Sequence, residues 1–203
     1  MGFTPENEIR QTSFFETLQA LDEQVRSGKI RYIGLSNETP WGVMRFLQLA
    51  EQYNLPRIVS IQNPYNLLNR SYEVGLAEIS WREKVGLLSY SPLGFGTLTG
   101  KYLGGNLPSE ARLALFPHYT RYNHPNAIHA TRQYVALADK YRLDPAQMAL
   151  AYVNSRPFLT STIIGATTMT QLKTNIDSID LKLSAEIVDG IENIHKNHPN
   201  PSP

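Results

Sequence analysis

The 203-residue chain contains no cysteine, which excludes disulfides, thiolate nucleophiles and a Cys-ligated metal. It has no excess of either charge: 19 Lys and Arg stand against 18 Asp and Glu, for a formal net charge of +1. Such a balance builds no long-range basic field, so nucleic acid is not an expected partner. Long apolar runs are also missing. No stretch reaches the roughly 18 to 20 residues that a membrane helix needs. The opening MGFTPENEIRQTS is polar and lacks the apolar core of a signal peptide. A soluble, cytoplasmic protein without a membrane partner is expected. No Gly-rich phosphate loop follows any candidate strand, although a doubly wound nucleotide fold normally shows one after its first. His118, His124, His129, His195 and His198 form no His-x-x-x-His pair on a predicted helix, so no metal is expected.

What the chain does have is a repeating alternation. Thr12 or Ser13 caps a predicted helix carrying Phe14, Phe15, Leu18, Leu21 and Val25, with Gly28 as its stop. Ile30 to Leu35 reads as a strand that runs into Ser36-Asn37. Thr39-Pro40 opens a helix ending near Asn54. Ile58 to Gln62 is a second strand, broken by Asn63-Pro64. A helix over 71–84 follows, with Val74, Ala77 and Trp81 inward. Leu87 to Tyr90 is a third strand, closed by Ser91-Pro92-Leu93-Gly94. Strand starts recur roughly every 28 residues, the spacing of βα units around a parallel sheet. Each strand ends in polar residues, where such sheets place ligands.

Residues 95–125 lose this periodicity and are too long for an ordinary connection, which predicts a functional βα loop. A short helix around Ser109 to Leu115 fits inside it. Helices from Ala127 to Tyr141 and from Asp144-Pro145 precede a fourth strand over Thr162 to Gly165. Helices from Met169 and from Ser184 follow, and residues 197–203 read as a frayed tail. Periodicity leaves three architectures open: a small flavodoxin-like sheet, half of an eight-stranded barrel, or a four-stranded remnant of something larger. The helix ahead of the first strand and the missing phosphate loop lean toward the barrel.

Gly28-Lys29-Ile30-Arg31-Tyr32-Ile33-Gly34-Leu35-Ser36-Asn37 strongly resembles the aldo-keto reductases. Three further segments agree, in order: Ile61 to Asn66; Tyr90 to Gly94 with Leu98 to Tyr102; and Ile164 to Thr167 with Gln171 to Asn175. The flavour is that of the Tas-like reductases and the potassium-channel beta subunits. The resemblance implies an α/β fold of the TIM-type (β/α)8 barrel family, present here as its carboxyl-terminal half, four βα units plus a terminal helix over 1–203. It implies that the match begins before the fifth barrel strand and that the first four strands have no counterpart. The family's general acid, a tyrosine assisted by lysine, aspartate and histidine, sits on those strands, so no catalytic residue is assigned here.

The cofactor site can be carried over. Ser36, Asn37 and Gln62 match the residues that hold the nicotinamide carboxamide. Their side chains supply donors and acceptors without charge. Tyr90 matches the aromatic residue that stacks on the nicotinamide ring. Ser91, Leu93 and Gly94 match the segment along the pyrophosphate. Lys101 and Arg112 resemble basic residues directed at phosphate. Gly165, Ala166 and Thr167, with Gln171 and Asn175, match the adenosine end, beside a helix amino terminus. Many relatives have arginine where Gln171 stands and glutamate where Thr174 stands. NADP is expected over NAD on family grounds.

Read without the family, Ser36-Asn37 is a strand end and a turn, Gln62 a turn residue, Tyr90 a strand-end aromatic and Lys101 a solvated lysine. The resemblance implies NADP-linked aldehyde or ketone reduction by the intact protein, with this chain inactive alone. The alternatives are a non-catalytic nucleotide-binding regulatory module and a fragment without function. Expected partners are a small carbonyl substrate once the site is completed, and a missing amino-terminal half or a second copy.

Overall fold

The computed structural model describes residues 12–203. The protein alternates helix and strand through its first half. Ser13 caps α1 (Phe14–Arg26) by accepting a hydrogen bond from the Glu16 N–H, 3.1 Å. After β1 (Ile33–Ser36), Thr39 caps α2 (Pro40–Tyr53), with proline at the first helical position, where no N–H is needed. Next come β2 (Ile58–Pro64), α3 (Leu76–Glu83) and β3 (Gly86–Tyr90). A long excursion holds α4 (Arg112–Leu115), and α5 (Pro125–Lys140) and α6 (Pro145–Asn154) follow. The chain then forms β4 (Leu159–Thr162), α7 (Met169–Asp177) and α8 (Ala185–Asn197).

The four strands form one parallel sheet in the order β1-β2-β3-β4. Parallel neighbours in sequence order bring all the carboxyl ends to one edge of the layer. Ile33, Ile58, Ile61 and Leu87 bury one face against Leu18 of α1, Val43, Phe46 and Leu47 of α2, Leu76 of α3 and Val153 of α6. Gly34, Ser36 and Gln62 lie exposed. Most parallel sheets are covered on both faces; here the described residues leave part of the sheet open. A second apolar cluster joins Leu67, Leu68 and Leu98 to α5, α6 and α8 through Tyr134, Met148, Tyr152, Ile187 and Ile191.

A charged network locks the turn after β2 to the last helix. Arg70 is 6% exposed and donates to both Glu73 oxygens, at 2.8 and 2.7 Å, and to Glu192 at 3.0 Å. Tyr152 donates to the other Glu192 oxygen, 2.7 Å, and Tyr65 donates to Glu73. Each buried charge therefore has a partner, which keeps the desolvation cost in check.

Several expectations need correction. The first strand begins at Ile33 rather than Ile30, because its ladder starts where Ile33 meets Ile58, and Tyr32 stays 74% exposed. The second does not break at Asn63-Pro64. Both residues pair with β3, and the missing proline N–H is tolerated at a strand end. The helix expected over 71–84 is split: a 3₁₀ turn (Ser71–Glu73) precedes α3, and Gly75 at φ 93° turns the chain between them. That phase shift buries Tyr72, Leu76 and Ser80, and leaves Val74 and Trp81 outside. The fourth strand lies three residues earlier than expected, because its register is fixed by Leu159 opposite Leu87 and Thr162 opposite Ser89.

The tail is not frayed. Ser202 is buried and its N–H donates to the Leu68 carbonyl, 2.9 Å, while Asn200 Oδ1 accepts from the Arg70 N–H, 2.6 Å. The 95–125 segment contains α4 within the expected short helix and folds around Phe95. That ring packs on Tyr122 at 4.9 Å and Tyr119 at 5.1 Å.

Candidate functional site

The carboxyl ends of β1, β2 and β3 bring four expected residues together. Ser36 pairs with Gln62 in register, and its hydroxyl donates to the Gln62 carbonyl, 3.1 Å. The Asn37 N–H donates to the same carbonyl, 3.1 Å, which holds the chain in a left-handed turn at φ 54°. Asparagine accepts that conformation at lower cost than most side chains. Tyr90, opposite Pro64, reaches over β2 and donates its hydroxyl to Asn37 Oδ1, 2.7 Å. Gln62 takes part through its carbonyl, and its side chain is exposed beside that turn.

A second group stands on the turn after β3. Ser91 adopts φ 52°, and its carbonyl accepts from Asn66 Nδ2 at 2.9 Å and from the Gly94 N–H at 2.9 Å. Gly94 has φ 54°, a left-handed conformation that glycine adopts without strain, and a Cβ there would crowd the Tyr122 ring at 3.3 Å. Leu93 packs into the second apolar cluster, and its carbonyl caps the turns at Gly96 and Leu98. Lys101 folds back so that its Cε and Nζ lie 2.8 and 2.9 Å from where a Gly96 Cβ would be. Arg112 lays its guanidinium over Phe95 at 5.4 Å and Tyr119 at 5.7 Å.

The third group follows β4, whose end is tied to β3 by the Ile163 N–H donating to Ser89 O, 2.8 Å. Gly165, Ala166 and Thr167 form an exposed loop. Gln171 Oε1 accepts from the Thr167 N–H, 2.9 Å, and Asn175 Nδ2 donates to the Gly165 carbonyl, 3.2 Å. Asn175 is 6% exposed. It shapes the loop from below, whereas Gln171 and Thr167 stay in reach of solvent.

Three residues outside the expected site set, Asn66, Tyr122 and Arg121, adjoin the first two groups. Asn66, fully buried, donates to Ser91 O and to the Tyr122 hydroxyl, 3.1 Å, and accepts from the Leu68 N–H, 2.8 Å. Tyr122 is buried against Gly94 and Phe95. Arg121 precedes Tyr122, and the Tyr90 and Tyr122 hydroxyls act on its guanidinium. Partial burial alone would lower its guanidinium, but those two hydroxyls outweigh it and the group sits above its ordinary value. The signal for Arg121 lay in composition: Glu110 is the only acidic residue from 86 to 138, where Lys101, Arg112, Arg121 and Arg132 all fall.

A four-stranded parallel βα sheet with polar residues collected at one end defines an α/β protein. The sequence matches the Aldo/keto reductase family over residues 5–196, and the chain belongs to that oxidoreductase family. It is 55% identical to "Protein tas" of Escherichia coli (strain K12) over 203 residues, all of this chain and 59% of that protein. It is 42% identical over 167 residues to an "Aldo-keto reductase" of Babesia bovis, covering 79% of this chain and 59% of the relative. It is 31% identical over 175 residues to the E. coli "L-glyceraldehyde 3-phosphate reductase", covering 83% of this chain and 50% of the relative. The chain thus spans about three-fifths of the length of the Tas relative. Among the described residues no helix is long and apolar enough to cross a membrane.

Proposed function

We propose that this chain forms the cofactor-binding half of an NADP(H)-linked aldo-keto reductase barrel. The observation that carries this reading is the cluster of Ser36, Asn37, Gln62 and Tyr90 toward the carboxyl ends of three adjacent strands. The donor set suits a nicotinamide. Ser36, Asn37 and Gln62 offer uncharged donors and acceptors to a carboxamide, and Tyr90 offers a half-exposed ring to its heterocycle. The bound group would supply the hydride, and these residues would fix which ring face it leaves from. Lys101 and Arg112 would meet phosphate. Thr167, Gln171 and the loop pinned by Asn175 would hold the adenosine end, with NADP preferred to NAD.

Carbonyl reduction also requires an acid beside the developing alkoxide. The buried tyrosines of this chain are poor candidates. Burial pushes the Tyr65, Tyr72, Tyr122, Tyr134 and Tyr152 hydroxyls up, and Tyr65, Tyr122, Tyr134 and Tyr152 each hydrogen-bond within the structure. We assign the acid to residues outside this chain, on strands that would pair with the open edges of β1 and β4 and close a barrel. A small carbonyl compound is then the substrate of the completed protein. The second copy and the amino-terminal half remain the proposed partners.

Calorimetric titration of the 203-residue chain with NADPH tests the reading. Saturation near one cofactor per chain, weakened at least ten-fold by Asn37→Ala, is expected. Absence of saturable binding by a folded sample overturns it.

A further inference from the structure

We infer that residues 198–203 form a strap that positions the turn from Ser91 to Gly94, and with it the phosphate end of the cofactor site. The functional half of this inference rests on the cofactor reading above, whereas the strap itself stands on contacts within the chain. After α8 the chain crosses to the turn that follows β2. Asn200, left-handed at φ 44°, accepts from the Arg70 N–H through its Oδ1, 2.6 Å. The Ser202 N–H donates to the Leu68 carbonyl at 2.9 Å, and its Oγ lies 3.3 Å from His124 Nε2 at the start of α5. Ser202 is 1% exposed, so the strap is packed rather than splayed.

The turn beneath the strap is closed by its own bonds. Asn66 and Asn69 exchange two backbone hydrogen bonds of 3.0 Å, and the Leu67 carbonyl accepts from the Tyr134 hydroxyl, 3.1 Å. This turn meets the one after β3 at two points. Asn66 Nδ2 donates to the Ser91 carbonyl, 2.9 Å, while Asn66 Oδ1 accepts from the Leu68 N–H, 2.8 Å. The Leu68 side chain lies 3.5 Å from where a Gly94 Cβ would stand. Ser91 holds a left-handed conformation at φ 52°, which costs a serine free energy and persists only where its surroundings enforce it. Leu68 is gripped on both sides: the strap takes its carbonyl, and the amide that fixes Ser91 takes its N–H. Releasing the strap leaves that carbonyl to water and loosens the side chain that presses toward Gly94.

The test uses the full 203-residue chain and its Ser202→Pro, Asn200→Ala and Asn200→Asp variants. Ser202→Pro deletes the N–H that Leu68 accepts from, and Asn200→Ala deletes the acceptor for Arg70. Backbone hydrogen exchange is measured without cofactor, and NADPH dissociation constants by calorimetry. Losing one neutral hydrogen bond that holds a turn closed should speed its exchange by about two- to ten-fold. Ser202→Pro and Asn200→Ala should show that rise at the Asn69 and Gly94 N–H groups, which close the two turns. The α2 amides are the internal reference and should exchange at the wild-type rate. NADPH should weaken by a similar factor, and Asn200→Asp, which keeps the acceptor, should restore both readings. Unchanged exchange at Gly94, a uniform rise across the chain, or altered exchange with unchanged NADPH affinity overturns this inference and leaves the cofactor reading standing. Failure of the wild type to bind NADPH overturns the cofactor reading, and the exchange at Gly94 then decides the strap by itself.

Discussion

Arg70 gives the sharpest stability prediction, because it is the one buried cation at the junction between the β2 turn and α8. In Arg70→Met the aliphatic volume is kept and the charge removed. Three hydrogen bonds to carboxylates are lost, from the Glu73 pair at 2.7 and 2.8 Å and from Glu192 at 3.0 Å. Removing one partner of a fully buried pair costs about 3–5 kcal/mol. Glu73 and Glu192 are 29% and 33% exposed, so water recovers part of that, and about 2–4 kcal/mol is expected. For a protein of this size that lowers the midpoint of thermal unfolding by roughly 4–16 °C.

The same network predicts a pH signature. Burial alone would raise the Glu192 carboxyl, but the Tyr152 hydroxyl and the Arg70 guanidinium outweigh it and hold it below its ordinary value. A carboxyl depressed in the folded state contributes stability above its unfolded value, and loses it as pH falls through the folded one. Urea unfolding of wild type should therefore weaken on acidification through the carboxylate range, and Arg70→Met should weaken less steeply there. A destabilisation below about 1 kcal/mol at neutral pH, with an unchanged acid slope, refutes the reasoning.

Other expectations follow from single contacts. Asn66→Ala removes both donors that fasten Ser91 and Tyr122; chemical denaturation should show a loss of about 2–4 kcal/mol. Gly94→Ala meets the Tyr122 ring in a left-handed turn and should cost about 1–3 kcal/mol by the same assay. Burial and the nearby Arg70 charge hold His195 below its ordinary value, against the pull of Glu73 and Glu192. On acidification the unfolded chain takes up this proton first, so stability falls as pH drops from about 6.5 toward the folded value. His195→Gln should flatten the unfolding curve in that window. Glu78→Ala breaks only an exposed pair with Arg82 and should change stability by under about 0.5 kcal/mol.

The sequence carried the βα rhythm because each early helix announces itself through a cap and an apolar stripe. Ser13 and Thr39 cap the helices expected of them. Placement of Ser36 and Tyr90 at strand ends followed from the same rhythm, whereas Gln62, expected to close its strand, lies two residues inside β2. Features set by distant contacts were not legible. The break at Gly75 depends on tertiary packing around Tyr72 and Leu76, and helical spacing alone reads straight through it. The run Thr162-Ile163-Ile164-Gly165 has strand character, yet β3 ends at Tyr90 and leaves Ile163 41% exposed. The polar tail reads as solvated because its anchors, Leu68 and Arg70, lie more than a hundred residues upstream. The family resemblance places Asn175 with Gln171 at the adenosine end. Its hydrogen bond to Gly165 makes it first a support for the loop.

The central claim is that strand ends of this chain hold a nicotinamide. The most direct test is a crystal structure of the chain with NADPH. The account predicts the carboxamide within hydrogen-bond reach of Ser36, Asn37 and Gln62, and the ring against Tyr90. A dinucleotide bound elsewhere, or with its nicotinamide turned away from those four residues, contradicts it.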